Sequence, residues 1–269
     1  MNSPNENSYV ETANKSTMPI LFIGHGSPMN AIENNSFTAG WITLGKKLPV
    51  PKAILCISAH WLTSGTYVTA MQKPRTIHDF SGFPKELYNQ TYPAPGSLEF
   101  AEKTKQLVKT PKIIPDYEWG LDHGTWSVLL PMFPEAIIPV FQLSIDYSKP
   151  PRYHYELAQQ LISLRSAGIL IIGSGNMVHN LRMMNYKANP YDWAVEFDNK
   201  ITSFLETGDY KSVIDFQNLG NLADLAQPTI DHFIPLLYVL GLIDKTDKTQ
   251  FFNIGFDLAS ISMRSIIYY

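Results

Sequence analysis

The residues of this chain best suited to chemistry are histidines that follow hydrophobic segments. His25 directly follows ILFIG, His60 follows AILCISA, and His179 comes seven residues after the segment GILII. Imidazole nitrogens bind divalent iron, zinc, copper and nickel, and a catalytic centre leaves one coordination position open. Because ligands of open α/β sheets bind beyond the carboxyl ends of the strands, we expect these three histidines to converge. Their placement favours a metal centre, although a lone histidine after a strand is more often a hydrogen-bonding loop residue.

A fourth candidate ligand, His232, lies in the segment PTIDHFIPLLYVLG. Apolar residues at helical intervals predict a helix over residues 229–240, with Thr229 as its N-cap and His232 in its first turn. Pro235 removes one amide donor and is expected to bend this helix. A side chain in a first turn can point into a cleft, so His232 is a candidate fourth ligand.

Other polar residues have two interpretations each. Asp79 and Asp122 each neighbour a histidine, so they either orient a metal ligand or belong to a turn. His154 lies in the polar stretch PPRYHYEL and is expected at the surface. Cys56 lies inside a hydrophobic segment, where inert packing is favoured over a nucleophilic role.

The elements that must position these residues alternate between strands and helices. Runs without polar alternation at residues 19–23, 53–58, 137–143 and 168–172 predict strands covered on both faces. Helices are predicted over residues 97–108, 152–166, 193–205 and 229–240. This order predicts an α/β fold, with a mostly parallel central sheet flanked by helices in a single domain. Two proline-rich stretches, residues 73–95 and 109–126, are expected to be functional loops, and the second carries His123.

Composition excludes several classes of protein. The chain has 269 residues, a formal net charge of -3 and one cysteine, so it has no internal disulfide and no basic patch for nucleic acid. No hydrophobic run is long enough to cross a membrane. Residues 1–17 lack the features of a secretory signal and are predicted to form a disordered polar lead-in to a catalytic domain over residues 18–269. We therefore expect a cytoplasmic protein.

Six ordered motifs extend the argument beyond spacing. GHGSPM, ISAHW, LDHGTWSVL, GSGNMVHNLR, PTIDHFIPLL and SISMRS follow one another from about Met18 to Ser265. Together they resemble the DOPA 4,5-dioxygenase type of extradiol ring-cleaving dioxygenase, a branch related to the catalytic subunit of protocatechuate 4,5-dioxygenase. The resemblance covers nearly the whole chain.

The resemblance implies an α/β fold around one divalent non-haem metal ion per chain, Zn²⁺ or Fe²⁺. It carries the metal role onto His25, His60, His179 and His232, where His179 is either a ligand or an acid/base. It also implies that His123, together with His179, handles protons. The ligand set departs from the commoner pattern of non-haem iron oxygenases because it contains no carboxylate.

The implied reaction opens the ring of a small catechol, DOPA or a relative, with O₂ to give a ring-opened semialdehyde. The implied partners are the catechol and O₂, and the expected assembly is a monomer or a small homo-oligomer. Two alternatives remain at this point: a zinc-dependent hydrolase that activates water, and a metal-binding protein without catalysis.

Overall fold

The computed structural model describes residues 17–269, so the predicted lead-in of residues 1–17 lies, apart from Thr17, outside the described part. In that part, no helix is long and apolar enough to cross a membrane. The strands are β1 (Ile20–Gly24), β2 (Ala53–Ser58), β3 (Leu62–Thr63), β4 (Tyr67–Thr69), β5 (Arg75–Thr76), β6 (Ile114–Asp116), β7 (Gly120–Leu121), β8 (Val140–Gln142), β9 (Ile145–Asp146), β10 (Ile169–Gly175), β11 (Thr249–Phe252), β12 (Phe256–Asp257), β13 (Ile261–Ser262) and β14 (Ser265–Tyr268).

Ten α-helices and three short 3-10 helices complete the described elements. The α-helices are α1 (Ser36–Lys47), α2 (Lys85–Tyr88), α3 (Leu98–Leu107), α4 (His123–Met132), α5 (Pro151–Gln159), α6 (Ser163–Ser166), α7 (Asp192–Glu206), α8 (Tyr210–Ile214), α9 (Asn221–Ala226) and α10 (Ile234–Gly241). The 3-10 helices span Pro28–Ala31, Leu181–Met183 and Phe216–Leu219.

The central sheet has six strands in the order β11-β14-β1-β10-β2-β8. The four strands β1, β10, β2 and β8 run parallel, and they correspond to the four predicted hydrophobic runs. β14 and β11 extend the β1 edge in antiparallel orientation. The prediction of a mostly parallel sheet flanked by helices in a single α/β domain is confirmed.

Residues of the parallel strands alternate between two hydrophobic cores, which explains why the runs lack polar positions. On β1, Ile20 and Phe22 belong to the core that also contains residues of α5, α7 and α10. Leu21 and Ile23 belong to the core that contains residues of α1 and α4. Both faces of the sheet are therefore covered by apolar packing. A polar site is expected beyond the ends of the strands.

Two helix predictions and one loop prediction need correction. The helix expected over residues 152–166 is divided into α5 and α6 by a turn in which Leu161 N–H bonds to the carbonyl of Ala158. The segment with His232 is a turn, and α10 begins after it with Pro235 in its first turn, where a missing N–H costs no helical bond. Pro235 therefore starts the helix instead of bending it. The expected loop around His123 is the start of α4, with Asp122 as its N-cap.

His154 was expected at the surface but is completely buried. Leu157 and Ala158 lie three and four residues after His154 and share its buried face on α5. The polar residues next to His154 in the sequence hide this helical spacing of buried positions. Its Nδ1 lies 3.2 Å from the hydroxyl oxygen of Tyr238 on α10. Burial lowers the pKa of His154 from 6.5 to about 4.

This burial predicts a pH-dependent stability. Below pH 6.5 the unfolded chain protonates His154 while the folded chain does not, so the stability present above that pH is lost as the pH falls towards 4. At pH 5 we expect a cost of about 2 kcal/mol in the free energy of unfolding. Urea denaturation of wild type and His154→Gln, both in chelator, measures it at pH 7.5 and pH 5. Equal losses in the two proteins between these pH values would show that His154 does not contribute.

Candidate metal centre and active site

Five histidines converge on one cavity of about 820 Å³. His25 follows β1, His60 lies two residues beyond β2, and His179 lies four residues beyond β10. His123 is the first residue of α4, and His232 lies in the turn before α10. All five residues predicted for the site therefore line the same space, whereas His78 and His154 are not among its lining residues.

The spacing of the histidine rings is compatible with one shared ion. The Nε2 atoms of His25 and His60 are 3.1 Å apart, and the His232 ring centroid lies 5.3 Å from that of His25 and 5.0 Å from that of His60. Two ligands of a tetrahedral ion with bonds near 2.0–2.1 Å lie about 3.4 Å apart. The His25–His60 pair thus already has a separation that fits common ligation.

Hydrogen bonds determine which ring nitrogens remain available. The Ser174 hydroxyl donates to the carbonyl of Gly124, so His25 Nδ1–H donates to Ser174 Oγ at 3.1 Å. His232 Nδ1–H donates to Asp231 Oδ2 at 2.7 Å, and its buried Nε2 has no hydrogen-bond partner in the described part of the chain. Partners of this kind orient metal-binding imidazoles and keep Nε2 as the free donor. The residues present fit a divalent metal ion.

Burial favours the neutral form of the imidazoles of His25, His60 and His179. The pKa values of His25 and His60 lie well below 6.5, first because burial disfavours the charged form and then because the neighbouring histidines repel a second proton. The same causes lower the pKa of His179 to about 2. Neutral imidazole is the form that binds metal, so these three side chains can bind an ion at neutral pH without first losing a proton.

Asp79, which is distant from His123 in the sequence, holds His123 in place through hydrogen bonds. The Asp79 carboxylate accepts from the His123 backbone N–H and from its Nδ1–H, both at 2.9 Å, and lies 3.6 Å from Nδ1 of His60. Burial opposes ionisation of Asp79, but the hydrogen bonds and charge of His123 outweigh it and lower the pKa of Asp79. Asp79 therefore orients His123, and it leaves Nε2 of that ring free.

Nitrogen atoms of His25, His60 and His123 all lie within 4.8 Å of one another, so His123 is also within reach of a shared ion. The His123 ring centroid is 3.8 Å from that of His60. His179 instead stacks on His232, with centroids 3.4 Å apart and planes 6° apart. His123 thus lies with His25 and His60, whereas His179 contacts His232.

Glycines of β10 let the His232 turn approach the sheet. A β-carbon on Gly173 would collide with the carbonyl of Pro235, and one on Gly175 would collide with the carbonyl of His232. The amide of Asn176 donates to that same His232 carbonyl at 2.9 Å. The GSGN motif therefore positions His232 through close backbone packing.

The remaining cavity wall is largely apolar and suits a flat ring. The residues from Asp79 to Pro84 all contribute, and further apolar lining comes from Pro28, Met29, Leu181, Met184, Leu258 and Ile261. His78 instead lies beside this segment, with its Nε2 3.0 Å from the carbonyl of Gln90. Its ring contacts that of Phe80, but His78 is not itself a lining residue.

Sequence reasoning missed several partners of the histidines. Ser174 was not predicted as a site residue, and its Oγ accepts a hydrogen bond from His25. Asp231 precedes His232 directly, and this adjacency was the one available signal for its role. Asp122, by contrast, caps α4 and bonds Gln142 Nε2 at 2.7 Å, so its role is structural.

Fold and site together define an α/β protein with a candidate non-haem metal centre in a largely apolar cavity. Residues 21–262 match the family model described as the catalytic LigB subunit of aromatic ring-opening dioxygenase. A protein named 4,5-DOPA dioxygenase extradiol from Escherichia coli (strain K12) is 45% identical over 93% of this chain and 94% of its own length. A protein of the same name from Beta vulgaris is 37% identical over 88% of this chain and 91% of its own length.

A solved structure agrees with these sequence matches. The crystal structure of an uncharacterized protein from Escherichia coli K12 has a TM-score of 0.82 and 40% identity, and it covers 93% of this chain and 99% of that chain. The chain belongs to the LigB family of aromatic ring-opening dioxygenases. It is an extradiol ring-cleaving dioxygenase, which confirms the resemblance and disfavours both the hydrolase and the non-catalytic alternative.

Proposed function

We propose that the enzyme cleaves the ring of a small, DOPA-like catechol with O₂, using one divalent ion held by His25, His60 and His232. The unpartnered, buried Nε2 of His232 beside the His25–His60 pair is the observation that carries this proposal. The product is a ring-opened semialdehyde. When bound, the ion supplies Lewis acidity and a common point of attachment for the two reactants.

Iron and zinc both suit this set of imidazoles. A site of neutral nitrogen ligands binds either ion, and the affinity order places zinc above ferrous iron. Zinc found in purified protein would therefore reflect affinity, and iron is the ion we expect to support reaction with O₂. The proposed ligands include no carboxylate, so the ion keeps its full positive charge. This charge favours binding of a catechol through two anionic oxygens.

We assign proton handling to His123 and His179. A catechol must lose protons to present both oxygens as anions, and the free Nε2 of His123 can accept one while Asp79 faces the resulting positive charge. His179, with its pKa lowered to about 2, is a poor acceptor at neutral pH. His179 therefore suits a role as a metal ligand or a neighbour of the ligands. If it is protonated during the reaction, it would give up that proton readily.

Water exclusion is the contribution of the apolar wall. Phe80 and Phe83 contact each other edge to face with centroids 5.2 Å apart, and Phe80 approaches the His123 ring to 5.6 Å. A ring bound between this wall and the histidines would be shielded from water, and proton transfers would be confined to the enzyme's own groups. The cavity is large enough to hold a catechol with its side chain.

A catechol panel tests the proposal. Metal-free protein is loaded anaerobically with Fe²⁺ or with Zn²⁺, mixed with each catechol, and then exposed to air. We expect a yellow ring-opened product after air is admitted to the iron-loaded enzyme. Ring-opened product formed before air is admitted would contradict a reaction with O₂, and no product from any catechol with either ion would refute the proposal.

A further inference from the structure

The segment Ser260–Ser265, with the sequence SISMRS, has no role in the chemistry proposed so far. It contains β13 and ends at the first residue of β14, and all six of its side chains are buried. Of the described residues that line the cavity, only Ile261 belongs to this SISMRS segment. The segment can therefore influence the site mainly through the residues that it contacts.

The first half of the SISMRS segment holds the loop that carries His179. An isolated antiparallel bridge pairs His179 with the segment. The hydroxyl of Ser260 donates to the carbonyl of Asn180 at 2.9 Å. The backbone N–H of Ser262 donates to the carbonyl of Val178, also at 2.9 Å. The segment therefore fixes His179 and the residue on each side of it.

The second half of the SISMRS segment packs against the residues on both sides of His25. The hydroxyl of Ser265 accepts from the backbone N–H of Gly24 at 3.1 Å. A β-carbon on Gly24 would collide with the backbone of Met263, and one on Gly26 would collide with the sulfur of Met263. The segment thus contacts both the end of β1 and the loop after β10, which carry different histidines of the site.

A buried ion pair anchors the middle of the SISMRS segment to α7. Nε and Nη2 of Arg264 lie 2.8 Å and 2.7 Å from Oδ2 of Asp198, and the hydroxyl of Ser262 donates to Oδ1 of Asp198 at 2.6 Å. Asp198 is 1% exposed and Arg264 is 8% exposed. Replacement of a buried ion pair by apolar residues is often neutral for stability, so the contribution of this pair is better sought in the arrangement that it fixes.

We propose that the SISMRS segment fixes the positions of His25 and His179 relative to each other. Its positioning residues are Arg264, Asp198 and Ser262, whose charge-assisted hydrogen bonds hold the segment in one arrangement. The inference rests on the proposed metal centre and adds residues that set its geometry without contacting the ion. Because a metal site depends on ligands that are held in place before the ion binds, loosening this segment should weaken metal binding.

Zinc affinity distinguishes positioning of the site from stability of the fold. Metal-free wild type, Arg264→Lys and Ser262→Ala are titrated with Zn²⁺ against a competing chelator, at a temperature where circular dichroism shows each protein to be folded. We expect the Kd for Zn²⁺ to rise about 10–100-fold in both variants, as is usual when the groups that orient metal ligands are changed. The visible absorption of the Co²⁺-loaded proteins should also change, because it depends on the geometry of the ligands.

Arg165→Lys is the matched control for Arg264→Lys. Arg165 forms a similarly buried ion pair with Asp247, and neither residue is among the described residues that line the cavity. The control should lower the melting temperature of the metal-free protein, as Arg264→Lys should. It should leave the Kd for Zn²⁺ and the Co²⁺ absorption unchanged, because its ion pair does not hold the loops of the site histidines.

Wild-type zinc affinity in Arg264→Lys and Ser262→Ala, or an equal loss of affinity in the control, would overturn the inference while the metal centre stands. If Arg264→Lys does not fold, Ser262→Ala decides by the same criterion, because it removes one hydroxyl and no charge. A wild type that binds no Zn²⁺ would refute the proposed metal centre, and the inference with it. A wild type that binds Zn²⁺ but cleaves no catechol when loaded with iron would refute only the proposed reaction.

Discussion

Replacement of His25, His60 or His232 by alanine is expected to remove the metal ion and with it ring cleavage. In the proposed centre each of these residues offers one ring nitrogen, and in His25 and His232 a hydrogen bond at Nδ1 determines that this nitrogen is Nε2. Loss of partners that merely orient a ligand already costs about 10–100-fold in metal affinity, so loss of a ligand should cost at least as much. Elemental analysis after dialysis measures the occupancy, and activity with catechol should fall in parallel.

The control for this series is His78→Gln, which changes a histidine outside the cavity lining and should keep the metal. All variants should retain the circular-dichroism signal of the folded chain, because the parallel strands are buried by apolar packing and do not depend on the ion. Normal metal occupancy in all three alanine variants would refute the ligand set. A chain that unfolds at room temperature when metal is removed would show that the site is structural.

His123→Ala is expected to keep its metal and its fold and to lose about 10²–10⁴-fold in turnover, the usual range for a general acid/base. The reason is that Nδ1 of His123 donates to Asp79, and the ring is not among the proposed metal ligands, so its Nε2 is free to exchange a proton with the substrate. His123→Gln should recover little, since an amide forms hydrogen bonds but does not transfer protons. Single-turnover rates and metal content are measured on the same preparations.

Two results would assign His123 differently. Near-full activity in both variants with unchanged metal would make it a structural residue at the start of α4, bonded to Asp79. Loss of metal in His123→Ala would place it in the ligand set, as its proximity to His25 and His60 also permits. Proton handling would in either case fall to His179.

The strand-end histidines could be predicted because one short-range rule governs them. His25 and His60 lie within two residues of a fully buried strand, and parallel strands must end at a common edge. His179 follows the same rule at a greater distance from its strand. The hydrophobic pattern therefore suffices to predict the four parallel strands along the chain and to place these histidines at their ends.

Residues whose position depends on long-range contacts could not be placed in this way. His232 was expected in a helical turn, but close packing on Gly173 and Gly175 holds its segment as a turn before α10. Asp79 lies 44 residues from His123, and nothing local indicates that they meet. His154 was assigned to the surface because its neighbours are polar, although the opposite helix face decides its burial.

The cytoplasmic location, the assembly as a monomer or small homo-oligomer, and the lead-in of residues 1–17 stay predictions of the sequence. The role of each site histidine likewise stays a prediction that the variants above test. Family membership narrows the reaction to extradiol ring cleavage, whereas the ion and the catechol depend on contacts within the cavity.

Oxygen uptake measured together with product formation tests the central claim most directly. Iron-loaded wild type is mixed with a catechol in an oxygen electrode, and the product is quantified by mass spectrometry in the same sample. We predict one O₂ consumed per ring opened, a product whose mass is that of the catechol plus one O₂, and no uptake by the metal-free protein or by His232→Ala. Catechol turnover without O₂ uptake, or equal uptake by the metal-free protein, would contradict the account.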